Sequence, residues 1–182
     1  MMKPIAVPVR AGLLLALLAS VGVGAHAANN DSATATAVVL IPIAVSKTTD
    51  MNFGNVVEGN GTVTLNTDGS RSISGGTPLV AFGSSPTAAL FHVTGDTSQT
   101  FAITYPGTST QLINGANNMA FTYCAEVKAT ATPSATSCPA APSTGALTSG
   151  NAYVYVGGTV VVGAGQVPGT YAGTVVVSVD YN

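Results

Sequence analysis

The chain has 182 residues, 46% of them apolar and only 7% charged, with 21 Gly, 10 Pro, two Cys, no Trp and a formal net charge of −2. Five scattered cations give no electrostatic grip on nucleic acid or on an anionic membrane surface, both of which need clustered Lys and Arg. Abundant Gly, Ala, Val, Thr and Ser with few charges describe a β-rich exported protein, not an acidic disordered tail.

Lys3 and Arg10 form a positive N-region, Ala11–Val23 is a short apolar stretch, and Ala25-His26-Ala27 has the small-x-small form of a cleavage site. Together they predict a secretory signal peptide, too short and wrongly flanked for a transmembrane anchor. No lipobox cysteine sits at the cleavage point, and no second apolar run of about 18 residues follows to span a membrane. The mature chain, Ala28–Asn182, is one domain's length. It keeps Lys47, Arg71 and Lys128 against seven carboxylates.

After polar Ala28–Ser32 comes "ATATAVVLIPIAV", without a charge from Ala33 to Val45. At period two, Ala33, Ala35, Ala37, Val39 and Ile41 share one face, and Thr34, Thr36, Val38 and Leu40 the other. Pro42 lacks the N–H that a central ladder needs. Residues 28–41 are therefore expected to form an extended arm, and the domain to begin at residue 42.

Turn signals then recur at short intervals. Asn60-Gly61 and Asp68-Gly69 are hairpin dipeptides separating "MNFGNVVEG", "TVTLNT" and "RSISG". Further strands are expected at Leu79–Phe82, Ala88–Thr94, Thr100–Tyr105, Met119–Val127, Ala152–Val156, Thr159–Val162 and Tyr171–Tyr181. The two "TVVV" runs, at Thr159 and Thr174, are expected to be neighbouring strands. Nothing has capped helical periodicity. Many short strands with Gly-rich turns predict an all-β sandwich with Greek-key topology. Cys124 and Cys138, the only cysteines of an exported chain, are expected to form one disulfide.

The last stretch, "GTYAGTVVVSVDYN", places Tyr171, Val175, Val177, Val179 and Tyr181 on one face, the pattern of a half-buried strand. An apolar strand at one end of the chain and an uncharged β-prone arm at the other suggest a shared use. A bare sheet edge is a template for a further strand, and a neighbouring subunit can supply one. From pattern alone the arm either pairs in its own domain as a first strand or is donated.

Enzyme chemistry fails on inventory. The mature chain has one histidine, His92, inside a predicted strand, which leaves a Ser–His–Asp triad or a zinc site without its parts. The segment Gly163–Gly169 lacks the Lys and helix of a phosphate loop. Tyr105, Tyr153, Tyr155 and Phe101 could make a sugar-binding platform, although cross-strand packing explains them more simply. No cofactor is expected.

"GGTVVVGAGQVPGTYAGTVVVSVDY" (Gly157–Tyr181) resembles a family of secreted bacterial domains of unknown function whose C-terminal segment carries a GAGQxPGTYxG…VxVxY motif. Ala33–Val57, with Asp50-Met-Asn-Phe53-Gly54, resembles the opening of the same family, and "FHVTGD" (Phe91–Asp96) its F-x-V-x-G segment. That family is similar, distantly, to chaperone–usher pilins and to spore coat protein U. The pilin resemblance implies an immunoglobulin-like sandwich that lacks its last strand. It also implies a periplasmic chaperone that lends a strand, an outer-membrane usher, and the N-terminal extension of the next subunit as the final occupant. Tyr181 stands where pilins commonly carry a penultimate tyrosine. The Cys124/Cys138 pair departs from the pilin pattern, where the disulfide often lies elsewhere.

The expectation is thus a structural subunit of a surface filament, exported through the inner membrane. Thr34, Ala35, Thr36, Ala37, Val38, Val39, Leu40 and Ile41 would be its donor strand. Tyr171, Val175, Val177, Val179 and Tyr181 would border the acceptor groove. The alternative is a self-completed secreted monomer that binds a surface glycan or protein.

Overall fold

The computed structural model describes residues 29–75, 81–83, 85–134 and 136–182, with backbone alone for Ala81 and Phe82. The expected signal peptide lies outside the described residues, as do Leu79 and Val80 of one expected strand. The chain divides into two units, residues 1–37 and 38–182. The described part of the first, residues 29–37, carries no strand.

Residues 38–182 are all-β, with no helix among the described residues. The larger sheet has seven antiparallel strands: β1 (Ala44–Thr49), β3 (Gly61–Leu65), β4 (Arg71–Gly75), β6 (Ala89–Thr94), β8 (Gln111–Asn114), β9 (Asn117–Lys128) and β11 (Asn151–Val162). A second sheet has β7 (Thr100–Thr104) between β10 (Thr144–Ala146) and β12 (Ser178–Tyr181). The remaining pair is β2 (Asn55–Val56) with β5 (Ala81–Phe82). The arrangement is the expected sandwich of antiparallel sheets.

β11 is the spine of the larger sheet. β9 pairs with it from Tyr153 to Val160 along one side. On the other side β6 takes Asn151–Val156 and β3 takes Gly158–Val162. The sequence reading split this strand at Gly157-Gly158, and the structure joins it. The two glycines mark the change of partner: a Cβ on Gly157 would lie 2.3 Å from the Leu65 carbonyl oxygen, and one on Gly158 2.5 Å from the Phe121 ring. They are glycine because neighbouring backbone and ring approach too closely for a side chain, not because the strand ends.

Two hairpin readings also part company. Asp68-Gly69 does turn β3 into β4: Gly69 has φ +85°, and Asp68 Oδ1 accepts from the Ser70 N–H at 2.8 Å. Asn60-Gly61 makes no hairpin, because β2 pairs with β5 and Gly61 instead opens β3 opposite Gly75. The turn of that kind lies at Asn114-Gly115, which links β8 to β9 with φ +58° at Gly115. A glycine at the first central position of a two-residue hairpin suits its positive φ.

The structure shortens the expected last strand. Only Ser178–Tyr181 is laddered, against β7. The two "TVVV" runs are not paired strands: Val160 and Val162 lie in β11, and Val175 packs against them from the facing side. Two apolar clusters fill the interior. The first joins Val93, Val154 and Val156 to Phe101, Ile103, Val177 and Val179. The second centres on Val63, Phe121, Val160 and Val162, with Met51, Phe53, Leu112, Met119 and Val175 packed around it. Each fully buried side chain of this size contributes roughly 1.5–3 kcal/mol. The expected disulfide is present, joining Cys124 of β9 to Cys138.

Candidate functional groove

The segment leading into β12 spends its backbone on one side. Ala172 exchanges both hydrogen bonds with Ile113, at 2.8 and 3.0 Å. The Thr174 carbonyl accepts from the Ser109 N–H (2.8 Å), and its own N–H donates to Ser109 Oγ (2.9 Å). The Val176 N–H donates to Thr108 Oγ1, which donates to the Val176 carbonyl in return. β12 continues on the same side, against β7, and is the outermost strand of its sheet. In an extended chain the polar groups of alternate residues point opposite ways. Gly173, Val175, Val177 and Val179 therefore direct their N–H and C=O groups to the other side, where no strand lies among the described residues.

Across from this edge runs Asp50–Glu58, the continuation of β1, itself an outermost strand. It is held from behind. Asn52 and Thr87 exchange hydrogen bonds at 2.8 and 2.9 Å, and Arg71 Nη1 donates to the Phe53 carbonyl at 2.7 Å. Asn52 Oδ1 accepts from the Gly54 N–H at 2.7 Å, fixing a turn at a glycine with φ +72°.

Between the two segments lies a cavity of about 1000 Å³. Its base is Ala89, Phe91, Phe121, Val160 and Val162, and its walls include Met51, Phe53, Val56, Leu112, Met119, Val167, Tyr171 and Val175. Phe53 meets Phe121 edge-on, with ring centres 6.1 Å apart. The charged residues lining it are Lys47, Asp50 and Glu58, and Lys47 is paired with Asp50.

The loop before the last segment forms one lip. Gln166 Nε2 donates to Tyr171 Oη at 2.7 Å and to the Asn118 carbonyl at 3.2 Å, while Tyr171 Oη donates to the Val167 carbonyl at 2.8 Å. A Cβ on Gly169 would lie 2.2 Å from Asn114 Nδ2, at a φ of +147°. The Gly-Gln-x-Pro-Gly-Thr-Tyr run is thus a fastened rim whose glycine lets the loop close onto β8.

The structure separates the expected groove residues. Tyr171 and Val175 line the cavity. Val177 and Val179, 7% and 9% exposed, belong to the first cluster and help seal it. Tyr181 packs beside that cluster, and its hydroxyl donates to the Ile41 carbonyl at 2.6 Å. Of the expected donor residues, Thr34, Ala35, Thr36 and Ala37 lie in no strand; nor do Val38, Val39, Leu40 and Ile41, with Val38 84% and Val39 92% exposed. The sequence reading missed the opposite wall and the base. Phe53 and Phe91 stand in the motif segments already singled out, and that was the available signal.

The other candidates are placed elsewhere. His92 Nε2 bonds Asn151 Oδ1 at 2.8 Å and stacks on Tyr153 with ring centres 4.8 Å apart. Phe101 and Tyr155 are buried, and Tyr105 leans on Tyr123, so, although Tyr153 and Tyr155 share one face of β11, the four form no common exposed platform. Burial, and secondarily the neighbouring Tyr123, push the Tyr105 phenol well above its ordinary range.

The geometry defines an antiparallel β-sandwich with an apolar groove between two outer strand edges. The chain belongs to the family described as "Domain of unknown function (DUF4402)", which matches residues 43–181. The match starts after the arm, so Ala33–Pro42 lies outside it. No curated protein and no solved structure matches the chain.

Proposed function

We propose that the protein is a structural subunit of a bacterial surface filament, polymerising by donor-strand exchange through this groove. The observation that carries the proposal is the coincidence of an apolar cavity with an unpaired strand edge along its side. A strand supplies both needs at once, alternate side chains for the cavity and a backbone for the edge. The segments that carry the resemblance to the family of secreted domains meet there: Asp50–Gly54 is one wall, Phe91 part of the base, and Gln166–Tyr171 the lip.

The donor is residues 34–41 of a neighbouring copy. Eight extended residues span about 26 Å, and each apolar side chain they bury contributes roughly 1.5–3 kcal/mol. Their backbone bonds to the edge contribute about 1 kcal/mol apiece. No covalent chemistry and no cofactor take part. Before assembly the same edge is held by a periplasmic chaperone and delivered through an outer-membrane usher, and the finished polymer lies at the cell surface.

The test is gel mobility of the exported protein in SDS, with and without boiling, beside a variant lacking residues 28–41. A ladder that survives unboiled, collapses on heating and disappears in the deletion supports strand-linked polymers. A single monomer band under every condition refutes them and favours a self-completed domain with a ligand of its own.

A further inference from the structure

The arm is fastened at its root by contacts that a strand partner would otherwise occupy. Tyr181 Oη donates to the Ile41 carbonyl at 2.6 Å and accepts from the Asp96 N–H at 2.6 Å. Asp96 Oδ2 accepts from the Ile41 N–H at 3.4 Å, and Asp96 Oδ1 from the Thr97 N–H at 2.8 Å. Both backbone groups of Ile41 are therefore taken by side chains of the domain, so with the clasp closed the stretch free to be donated is residues 34–40. The pocket for the phenol is built: a Cβ on Gly95 would sit 2.4 Å from Tyr181 Oη and 2.9 Å from Leu147 Cδ1. This gives the glycine of the F-x-V-x-G segment a physical reason. Its missing side chain is the space the hydroxyl uses.

The location of this clasp matters more than its strength. β1 runs from Ala44, opposite Thr94, to Thr49, opposite Leu90. The groove opens beyond the far end of β1, from Asp50 onwards. Ile41 and Asp96 lie at the near end. An arm entering its own groove would have to double back at Pro42 and Ile43 and run beside the edge of β12. Such a reversal closes on the C=O of the residue that begins it, and at Ile41 that carbonyl is held by Tyr181, while Asp96 holds the N–H.

We propose that the Tyr181–Asp96 clasp on Ile41 is an orienting device that keeps the arm out of its own groove and so commits it to a second copy of the chain. This rests on the reading of the groove as a strand acceptor and adds what decides between self-completion and polymerisation. Tyr181 and Asp96 are positioning residues here; neither lines the cavity. One ordinary hydrogen bond corresponds to about a fivefold shift in a two-state population. Breaking the clasp should therefore move the balance of arm-in-own-groove over arm-donated by about fivefold.

The experiment is hydrogen exchange on the full mature chain, with monomer and multimer separated by size and the amides of residues 33–41 followed in each. Wild type should show a fast-exchanging arm in monomers and a protected arm in multimers. Tyr181→Phe keeps the ring and loses only the hydroxyl. It should accumulate monomers whose own arm is protected, with multimers reduced about fivefold. Slow exchange in β11 reports in the same data that the variant is folded. Asp96→Ala, at a half-buried loop position, should shift the balance in the same direction should Tyr181→Phe fold poorly. Folded variants with wild-type multimer levels and a fast-exchanging monomer arm overturn the clasp and leave the filament reading standing. A wild-type chain that stays monomeric with an exchanging arm overturns the filament reading itself. A wild-type monomer with its arm protected overturns both.

Discussion

Substituting Val38 or Val39 with Asp tests strand donation at its most specific point. Both side chains stand in solvent in the subunit, 84% and 92% exposed, so neither change should alter the stability of the domain by more than about 0.5 kcal/mol. In a donated strand the two residues face opposite ways. The one that faces the cavity gives up roughly 1.5–3 kcal/mol of burial. It also carries a carboxylate into an apolar site whose one lining cation among the described residues, Lys47, is already paired with Asp50. An unpaired buried carboxylate costs several kcal/mol more. The sum is on the order of 5 kcal/mol at each junction, which is more than a thousandfold in association. The other residue faces outward and tolerates Asp. One of the two variants should therefore lose the heat-labile ladder in SDS while the other keeps it, with both domains melting as wild type does. Two intact ladders would show that residues 38 and 39 are not buried by a partner. Loss of both, with unchanged melting, would show an interface without strand alternation.

Two further outcomes concern the domain alone. Replacing both Cys124 and Cys138 with Ala opens a loop of about 15 residues, a loss near 3 kcal/mol that should lower Tm by roughly 6–12 °C in calorimetry; an unchanged Tm would mean the bridge constrains nothing. The Tyr105 phenol has its pKa raised by burial, then by Tyr123, whereas the unfolded phenol ionises near pH 10. Its contribution is thus intact below about pH 10 and is lost as the pH climbs through the native value. Denaturant melts should weaken above pH 10 in wild type and markedly less in Tyr105→Phe, and identical alkaline profiles would refute this assignment.

The strands legible in sequence were those with one face buried. β3, β6 and β7 alternate in burial, and they and β9 fall within a few residues of the expected bounds. β10 has only Thr144, Gly145 and Ala146, too short and too plain for any pattern, and its partner β7 creates it. The Gly157-Gly158 pair misled because glycine marks a close approach as well as a break, and only the partner's position distinguishes the two. The face shared by Tyr171, Val175, Val177, Val179 and Tyr181 was legible. Its division between a sealed core, a cavity wall and a clasp was not, because that depends on which layer lies opposite each residue. Phe121, Val160 and Val162 are core residues by burial, and only the position of Asp50–Glu58 opposite the last segment places them at the base of the groove. The clasp joins residues 55 and 140 positions apart, beyond the reach of local pattern.

An apolar cavity of this volume could in principle receive a small molecule, since ligand sites run to about 1000 Å³. Such sites add a few convergent polar groups that fix the ligand's orientation. Here three of the polar side chains at the rim are turned to internal use: Asn52 holds the Gly54 N–H, Gln166 holds Tyr171 and Asn118, and Asp50 holds Lys47. Beside Glu58, what the groove offers is a row of backbone groups at every second residue along Gly173–Val179. A small ligand satisfies one or two of these, whereas an extended chain matches their repeat along its whole length. The regular spacing of these backbone groups, more than the size of the cavity, supports a strand as the proposed occupant.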